Sequence, residues 1–119
     1  MTAEILVVDD ELDIRELVGG ILQDEGYSVR TAGNSTDALA AMRVRAPRLV
    51  VLDVWLKGSE LDGLEILSIL KEMDPLLPVV VISGHGTVET AVTAIRRGAY
   101  DYLEKPFHTE KLILTVQRA

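Results

Sequence analysis

The sequence contains no cysteine and few aromatic residues, and each absence excludes a class of structure. Without cysteine, the chain forms no disulfide bonds and no thiolate metal sites, and it carries no thiol nucleophile. Aromatic residues occupy only 4% of the 119 positions, whereas hydrophobic residues of all kinds occupy 48%. A core built from this chain therefore consists mainly of aliphatic side chains.

Positive charge and long apolar segments are also scarce. The chain has 12 basic and 19 acidic residues, a net charge of −7, whereas binding to nucleic acid phosphates calls for a basic surplus. No apolar run approaches the roughly 18 residues that a membrane-spanning helix needs, and no signal peptide is visible. We therefore expect one cytoplasmic domain over 1–119 that contacts neither nucleic acid nor membrane.

Three short aliphatic runs stand out within this acidic chain. They are ILVV at 5–8, LVVL at 49–52 and VVVI at 79–82. None of them alternates with polar residues, which predicts strands buried on both faces, as in a parallel sheet. YSVRT at 27–31 alternates more, and YDYL at 100–103 is a fifth candidate strand.

Apolar residues recur at helical spacing between these runs. The pattern predicts five helices: one over 11–25, one capped by Asn34, one begun by Asp62, one over 87–97 that Gly98 ends, and one capped by Thr109. In the first helix, Ile14, Leu17, Val18, Ile21 and Leu22 are expected to face the core. Strand and helix alternate about five times, which indicates an α/β fold with a doubly wound parallel sheet covered on both faces.

Polar residues that can do chemistry follow four of the five strands. In an open parallel sheet, ligands bind at the carboxyl ends of the strands, and the residues there are Asp9, Asp10, Asp53, Ser83 and Lys105. Clustered carboxylates raise one another's pKa unless a cation neutralises them, and a site with few oxygen ligands suits Mg²⁺. A carboxylate beside Mg²⁺ and a lysine can attack phosphorus and form an aspartyl phosphate.

Each of these residues, taken singly, also has a simpler explanation. Asp10 can cap the helix over 11–25, Asp53 can cap a loop, Ser83 can be a turn residue, and Lys105 can be a solvated surface lysine. Their joint occurrence at the strand ends favours the shared site over these separate roles.

The glycine-rich segment GHGTVE at 84–89 is a second, weaker signal. It follows a strand and precedes a helix, like a dinucleotide-binding fingerprint, but Glu89 stands where the third glycine belongs. His85 within it is better explained as a loop residue than as a metal ligand. We therefore assign no cofactor to this segment.

Four segments together resemble the receiver domain of bacterial two-component response regulators: VVDDE, LVVLDVWL, VVVISGHG and AYDYLEKPF. The resemblance covers essentially the whole chain and implies a flavodoxin-like (βα)5 fold with strand order 2-1-3-4-5. It further implies that Asp53 is the phosphoacceptor and that Ser83 and Lys105 bind the phosphoryl oxygens. The implied Mg²⁺ ligands are Asp9, Asp10, Asp53 and the backbone carbonyl of Trp55.

The resemblance also implies how such a domain signals. A sensor histidine kinase donates the phosphoryl group, Tyr102 turns inward when Ser83 moves, and Lys105–Pro106 is a cis peptide. The surface over 87–119 then forms a homodimer or engages the output domain of a longer transcriptional regulator, of which 1–119 is the N-terminal part. Candidate charged contacts on that surface are Arg96, Arg97, Asp101 and Glu104. Such a domain catalyses only its own phosphorylation and dephosphorylation.

One loop departs from the usual family pattern. Lys57 stands where the family usually has proline, and the following segment KGSELDG is longer than usual. Together with SGHGTVETAVTAIRRGAYDYLEKPF, this long form is most similar to regulators of the NtrC/NtrX type. Trp55, at the start of the loop, is expected to shield the phosphorylated Asp53 and slow its hydrolysis.

Three other functions remain as alternatives. A receiver-like module that binds partners without phosphate would need none of the acceptor residues. A phosphatase of the haloacid dehalogenase type needs a second acid two residues after its nucleophile, where Asp53 is followed by Trp55. A flavodoxin-like cofactor binder needs a phosphate loop after the first strand, where Asp9 and Asp10 would repel phosphate.

Overall fold

The computed structural model describes residues 3–84 and 87–119. In chain order its elements are β1 (Glu4–Val8), α1 (Leu12–Asp24), β2 (Ser28–Ala32), α2 (Ser35–Val44), β3 (Leu49–Asp53), α3 (Gly63–Met73), β4 (Val79–Ser83), α4 (Val88–Arg96), β5 (Asp101–Glu104) and α5 (Thr109–Arg118). The five strands are all parallel and lie in the order β2-β1-β3-β4-β5. The predicted fold class and strand order are therefore confirmed.

Helices cover both faces of this sheet. Helices α1 and α5 pack on one face, where Val18, Leu22, Leu112 and Val116 join a buried aliphatic cluster. Helices α2, α3 and α4 pack on the other face. Every residue of β3 and β4 is buried, which explains why their sequences do not alternate.

Two predicted helix caps are present in the structure. The Asn34 side chain accepts a hydrogen bond from the Asp37 backbone N–H at the start of α2. Asp62 and Glu65 bond reciprocally to each other's backbone N–H at the start of α3, the arrangement known as a capping box. At the end of α4, Gly98 has a φ of 104°, a left-handed conformation that favours glycine.

Two other local predictions are wrong, for the cap of α5 and for Leu17, and the simpler alternative for Asp10 is excluded. Helix α5 is capped by His108, without a side-chain bond, so Thr109 is its first residue. Helix α1 begins after Glu11, so Asp10 is not its cap. Leu17 is 55% exposed, because the buried stripe of α1 is centred on Val18 and Leu22 and one residue corresponds to about 100° around a helix.

The structure also bears on membrane association. Within the described ranges, no helix combines the length and the apolar character that crossing a bilayer requires.

Candidate functional site

The strand register brings the predicted polar residues to one edge of the sheet. Asp53 pairs with Ile82, and Ser83 pairs with Glu104, so Asp53, Ser83 and Lys105 follow one another across neighbouring strand ends. Asp9 follows β1 beside them. Asp9, Asp53 and Ser83 are all buried, with exposed fractions of 0%, 3% and 0%.

Asp9 has a partner for each of its polar groups. Its carboxylate oxygen Oδ1 accepts a hydrogen bond from the Glu11 N–H at 2.9 Å, and Oδ2 accepts one from Lys105 Nζ at 2.8 Å. Its backbone N–H donates to the Ala32 carbonyl at 3.1 Å, and its carbonyl accepts from Arg15 Nη1 at 2.6 Å. Two bonds therefore fix the carboxylate of Asp9 and two fix its backbone.

Lys105 lies between two carboxylates. Its Nζ is 2.8 Å from Asp9 Oδ2 and 3.5 Å from Asp53 Oδ2. Burial alone would lower the pKa of Lys105, but the hydrogen bond to Asp9 and the charges of Asp53 and Asp9 outweigh it and raise that pKa. The lysine therefore remains an ammonium ion with both neighbours in reach.

One ammonium ion does not neutralise this cluster. Burial, followed by the charge of Asp9, raises the pKa of Asp53 to about 7, although Lys105 acts in the opposite direction. Carboxylate oxygens of Asp9, Asp10 and Asp53 lie within 4.8 Å of one another. Such oxygen ligands, with charge still uncompensated, fit a hard divalent cation such as Mg²⁺.

A small cavity opens over these carboxylates. Its volume is about 80 Å³, and it is lined by Asp10, Glu11, Asp53, Trp55, Lys57, Gly84 and Lys105. Since a water molecule in the liquid occupies about 30 Å³, the cavity admits a group the size of two or three waters. A larger cavity of about 450 Å³ at the other end of the strands has no carboxylate in its lining, so chemistry rather than size identifies the site.

The loop between Asp53 and α3 is tightly constrained. The Gly63 N–H donates to the Val54 carbonyl at 2.8 Å, and a Cβ at Gly63 would lie 2.1 Å from the Asp53 carbonyl oxygen. Ser59 Oγ accepts from the Ser35 N–H at 2.8 Å, which joins the loop to the first residue of α2. Sequence reasoning missed these contacts, although the glycine after the Asp62 cap was a visible signal.

Tyr102 lies near the site on β5. Its ring packs against the aliphatic cluster under α2, α3 and α4. Its hydroxyl oxygen is buried and has no hydrogen-bond partner among the described residues. The hydroxyl group is therefore enclosed by protein rather than exposed to solvent.

Two further sequence predictions concern the loops around the site. The Lys105–Pro106 peptide is cis, as expected. His85 and Gly86, and with them the centre of the segment at 84–89, lie outside the described residues.

The comparisons with known proteins agree with this geometry. The sequence matches the response regulator receiver domain family over residues 5–117. It is 58% identical over 119 residues to the nitrogen assimilation regulatory protein NtrX of Azorhizobium caulinodans, covering 100% of this chain and 26% of that protein. The chain therefore spans about a quarter of the length of these curated relatives.

Two solved structures extend the comparison to three dimensions. The receiver domain of NtrX from Brucella abortus has a TM-score of 0.93 at 64% identity, covering 96% of this chain and 95% of that chain. The beryllofluoride-activated NtrC4 receiver domain dimer has a TM-score of 0.90 at 42% identity, covering 97% and 93%. Domains of this family are signalling domains that relay phosphorylation to output domains, rather than classical enzymes. The chain belongs to the response regulator receiver domain family, and NtrX receiver domains are among its close relatives.

Proposed function

We propose that the chain accepts a phosphoryl group on Asp53 from the phosphohistidine of a sensor histidine kinase. The observation that carries the proposal is the placement of Asp53 beside Lys105, Asp9 and Asp10, with Asp53, Asp10 and Lys105 lining the small cavity. Asp9, Asp10 and Asp53 would hold Mg²⁺, together with the backbone carbonyl of Trp55.

The chemistry follows from the protonation state of Asp53. An ionised Asp53 oxygen forms the new O–P bond, while the N–P bond of the phosphohistidine breaks and its electron pair stays on the imidazole nitrogen. With a pKa of about 7, Asp53 is only partly ionised near neutral pH. Bound Mg²⁺ favours the ionised form and offsets the negative charge of the phosphoryl oxygens.

Lys105 and Ser83 would bind the oxygens of the phosphoryl group on Asp53. Lys105 Nζ, held between Asp9 and Asp53, has N–H donors that can turn to a new phosphoryl oxygen. Ser83 is buried on the adjacent strand and supplies a hydroxyl donor. The charge added at Asp53 would therefore attract Ser83 at the end of β4 and Lys105 just after β5. These two strands precede and follow α4 in the chain.

We propose that the surface around α4, β5 and α5 changes its affinity for a partner when the domain is phosphorylated. Val88, Val92 and Ile95 form an exposed stripe along α4, with Val88 81% exposed. The exposed side chains of Arg96, Arg97 and Glu104, with the half-buried Asp101, border it. The NtrC4 neighbour is a dimer in its activated form, which supports homodimerisation of this surface on phosphorylation.

The likeness to much longer relatives supports the remaining part of the proposal. We place residues 1–119 at the N-terminus of a longer cytoplasmic regulator whose output domain controls transcription. Phosphate-independent binding is not favoured, because such a module needs no Asp53, Lys105 and acidic pair around one cavity. A phosphatase of the haloacid dehalogenase type is not favoured either, because Trp55 occupies the position of its second acid.

Intact mass after incubation with acetyl phosphate tests the acceptor chemistry. We expect one phosphoryl adduct that requires Mg²⁺, is released by hydroxylamine, and is absent from Asp53→Asn. Asp24→Asn, an exposed carboxylate at the end of α1, is the matched control and should still form the adduct. Absence of any adduct on a folded, Mg²⁺-bound wild type would contradict the proposal and favour the phosphate-independent module.

Trp55 gives a test of the lifetime of the phosphorylated state. Its side chain is 48% exposed and lines the cavity above Asp53, where it limits the approach of water. We expect the adduct of Trp55→Asn to decay several times faster than that of the wild type, and that of Trp55→Phe to decay at a rate between the two. Equal decay rates for all three proteins would show that Trp55 does not shield the phosphate.

A further inference from the structure

Arg15 on α1 has no role in the chemistry described above, yet it contacts the acidic site. Its Nη1 donates to the Asp9 carbonyl at 2.6 Å, and its own backbone N–H donates to the Glu11 carbonyl at 3.1 Å. One residue therefore spans the turn between β1 and α1 and bonds both ends of it.

The carbonyl that Arg15 holds is a specific one. It belongs to the peptide that joins Asp9 to Asp10, and a peptide group is planar. Fixing its oxygen fixes the orientation of that plane, from which the two side chains diverge. Arg15 is therefore placed to control the direction of both acidic residues through the backbone.

The loop after β2 forms the other wall of the guanidinium site. A Cβ at Gly33 would lie 3.0 Å from Arg15 Nη1 and 3.6 Å from Cζ. The preceding residue, Ala32, accepts the hydrogen bond from the Asp9 N–H. The backbone of Asp9 is thus held from one side by β2 and from the other by an arginine whose present position leaves little room for a side chain at Gly33.

From these contacts we propose that Arg15 is a positioning residue that raises the affinity of the acidic site for Mg²⁺, and that Gly33 leaves the space in which its guanidinium takes this position. The inference rests on the proposed function, since it concerns the same cation site. Groups that hold metal ligands in place commonly change metal affinity by roughly 10-fold to 100-fold when they are removed.

Charge and position predict opposite effects for Arg15. If the guanidinium acted only through its charge, its removal would strengthen binding of a cation to the neighbouring carboxylates. If it acts by holding the peptide between Asp9 and Asp10, its removal weakens binding. The direction of the change therefore separates positioning from electrostatics.

Titration with Mg²⁺, followed by the fluorescence of Trp55, measures the affinity directly. Trp55 is the only tryptophan of the chain and lines the cavity. We expect Arg15→Met to raise the dissociation constant about 10-fold, with Arg15→Lys between that variant and the wild type. Gly33→Ala, which keeps every charge, should raise it by a smaller factor, because the guanidinium must move by a few tenths of an ångström.

A double variant and a control complete the experiment. Arg15→Met with Gly33→Ala should bind Mg²⁺ as Arg15→Met alone does, because the glycine acts through the arginine. Gly20→Ala in α1, whose Cβ would meet no atom within 4 Å, should bind as the wild type does. Circular dichroism establishes which variants are folded. If Arg15→Met is not folded, the Mg²⁺ affinity of Gly33→Ala tests the inference instead.

Three results would overturn the inference. They are Mg²⁺ affinity in folded Arg15→Met or Gly33→Ala that equals or exceeds that of the wild type, additive effects in the double variant, and a wild type that binds no Mg²⁺. A wild type that binds Mg²⁺ but forms no phosphoryl adduct would instead refute the proposed function and leave the role of Arg15 in cation binding supported.

Discussion

Helices α3 and α4 pack on the same face of the sheet and follow neighbouring strands, but their attachment differs. Helix α3 has 11 residues and a capping box, and it buries Gly63, Ile66, Leu67 and Leu70. Helix α4 has nine residues and a single threonine cap, and it buries only Ala94. Helix α3 is therefore anchored at its first residue and along its length, whereas α4 is attached to the core through one fully buried residue.

The difference in attachment between α3 and α4 indicates which helix can respond to a change at the site. Helix α3 starts against the Asp53 carbonyl, so it is part of the rigid frame around Asp53. Helix α4 follows Ser83 and is rich in β-branched residues, which lower helix propensity. Elements that move in a switch come from the least stable parts of a fold, and α4 fits that description.

The anchor of α3 can be broken by one methyl group. In Gly63→Ala, the new Cβ would lie 2.1 Å from the Asp53 carbonyl oxygen and 2.6 Å from Val54 Cα, and backbone cannot yield as a side chain does. We expect the free energy of unfolding to fall by about 3 kcal/mol or more, measured by urea denaturation. Gly20→Ala is the matched control, and a loss no larger than that of the control would contradict the anchor.

Hydrogen exchange compares the two helices in the unaltered protein. Because α4 buries only one residue, we expect its amides to exchange roughly 30-fold faster than those in the middle of α3, corresponding to a difference of about 2 kcal/mol in opening free energy. Native-state exchange followed by mass spectrometry measures both helices in one sample. Similar protection of α3 and α4 would contradict the claim that α4 is the less firmly attached helix.

Proton binding by Asp53, next to the start of α3, makes the stability of the fold depend on pH. Its carboxyl has a pKa of about 7 in the folded protein and 3.8 as a model compound, so the folded state binds more protons between these values. The resulting stabilisation is complete below pH 3.8 and is lost as the pH rises through 7.

Asp53→Asn tests this pH dependence. Without Mg²⁺, the stability of the variant relative to the wild type should rise by about 1 to 2 kcal/mol between about pH 5 and about pH 8. Urea denaturation at several pH values measures it, and Mg²⁺ should reduce the effect. A difference between the two proteins that does not vary with pH would mean that Asp53 ionises normally.

Removal of the N-terminal caps is expected to give the smallest difference in stability between α3 and α4. Asp62→Ala removes the bond to the Glu65 N–H at 2.9 Å and should lower the free energy of unfolding by about 1 kcal/mol. Thr87→Ala removes the bond to the Thr90 N–H at 3.2 Å, but it should lower global stability by less than about 0.5 kcal/mol, because α4 opens locally. Equal losses in thermal denaturation would show that α4 is as firmly coupled as α3.

Local sequence signals predicted much of this structure. Runs of β-branched residues marked β1, β3 and β4, and the caps Asn34 and Asp62 were correctly placed, because such signals depend on a few adjacent residues. The cap of α5 was assigned one residue too late, to Thr109 instead of His108. His108 makes no side-chain cap bond, and helix ends vary by one or two residues with the way they are defined, so the sequence carries no local signal that separates the two positions.

The candidate site could be predicted in part for a similar reason. Asp9, Asp53 and Lys105 follow strands, and the geometry of a parallel sheet brings strand ends together. The contacts from Arg15 to Asp9 and from Gly63 to Asp53 could not be predicted in this way. They depend on which way a long side chain turns and on how closely two backbones approach, and neither leaves a periodic pattern in the sequence.

The bond between Asp9 and Lys105 has a consequence for the synthesis of the chain. The two residues are 96 positions apart, so Asp9, which follows the first strand, leaves the ribosome long before the lysine that lies between Asp9 and Asp53. Until β5 and the residue after it have emerged, the acidic edge lacks its ammonium ion and its last neighbouring strand. Completion of this site therefore coincides with completion of the sheet, and a nascent chain released before Lys105 lacks the ammonium ion of the acidic site.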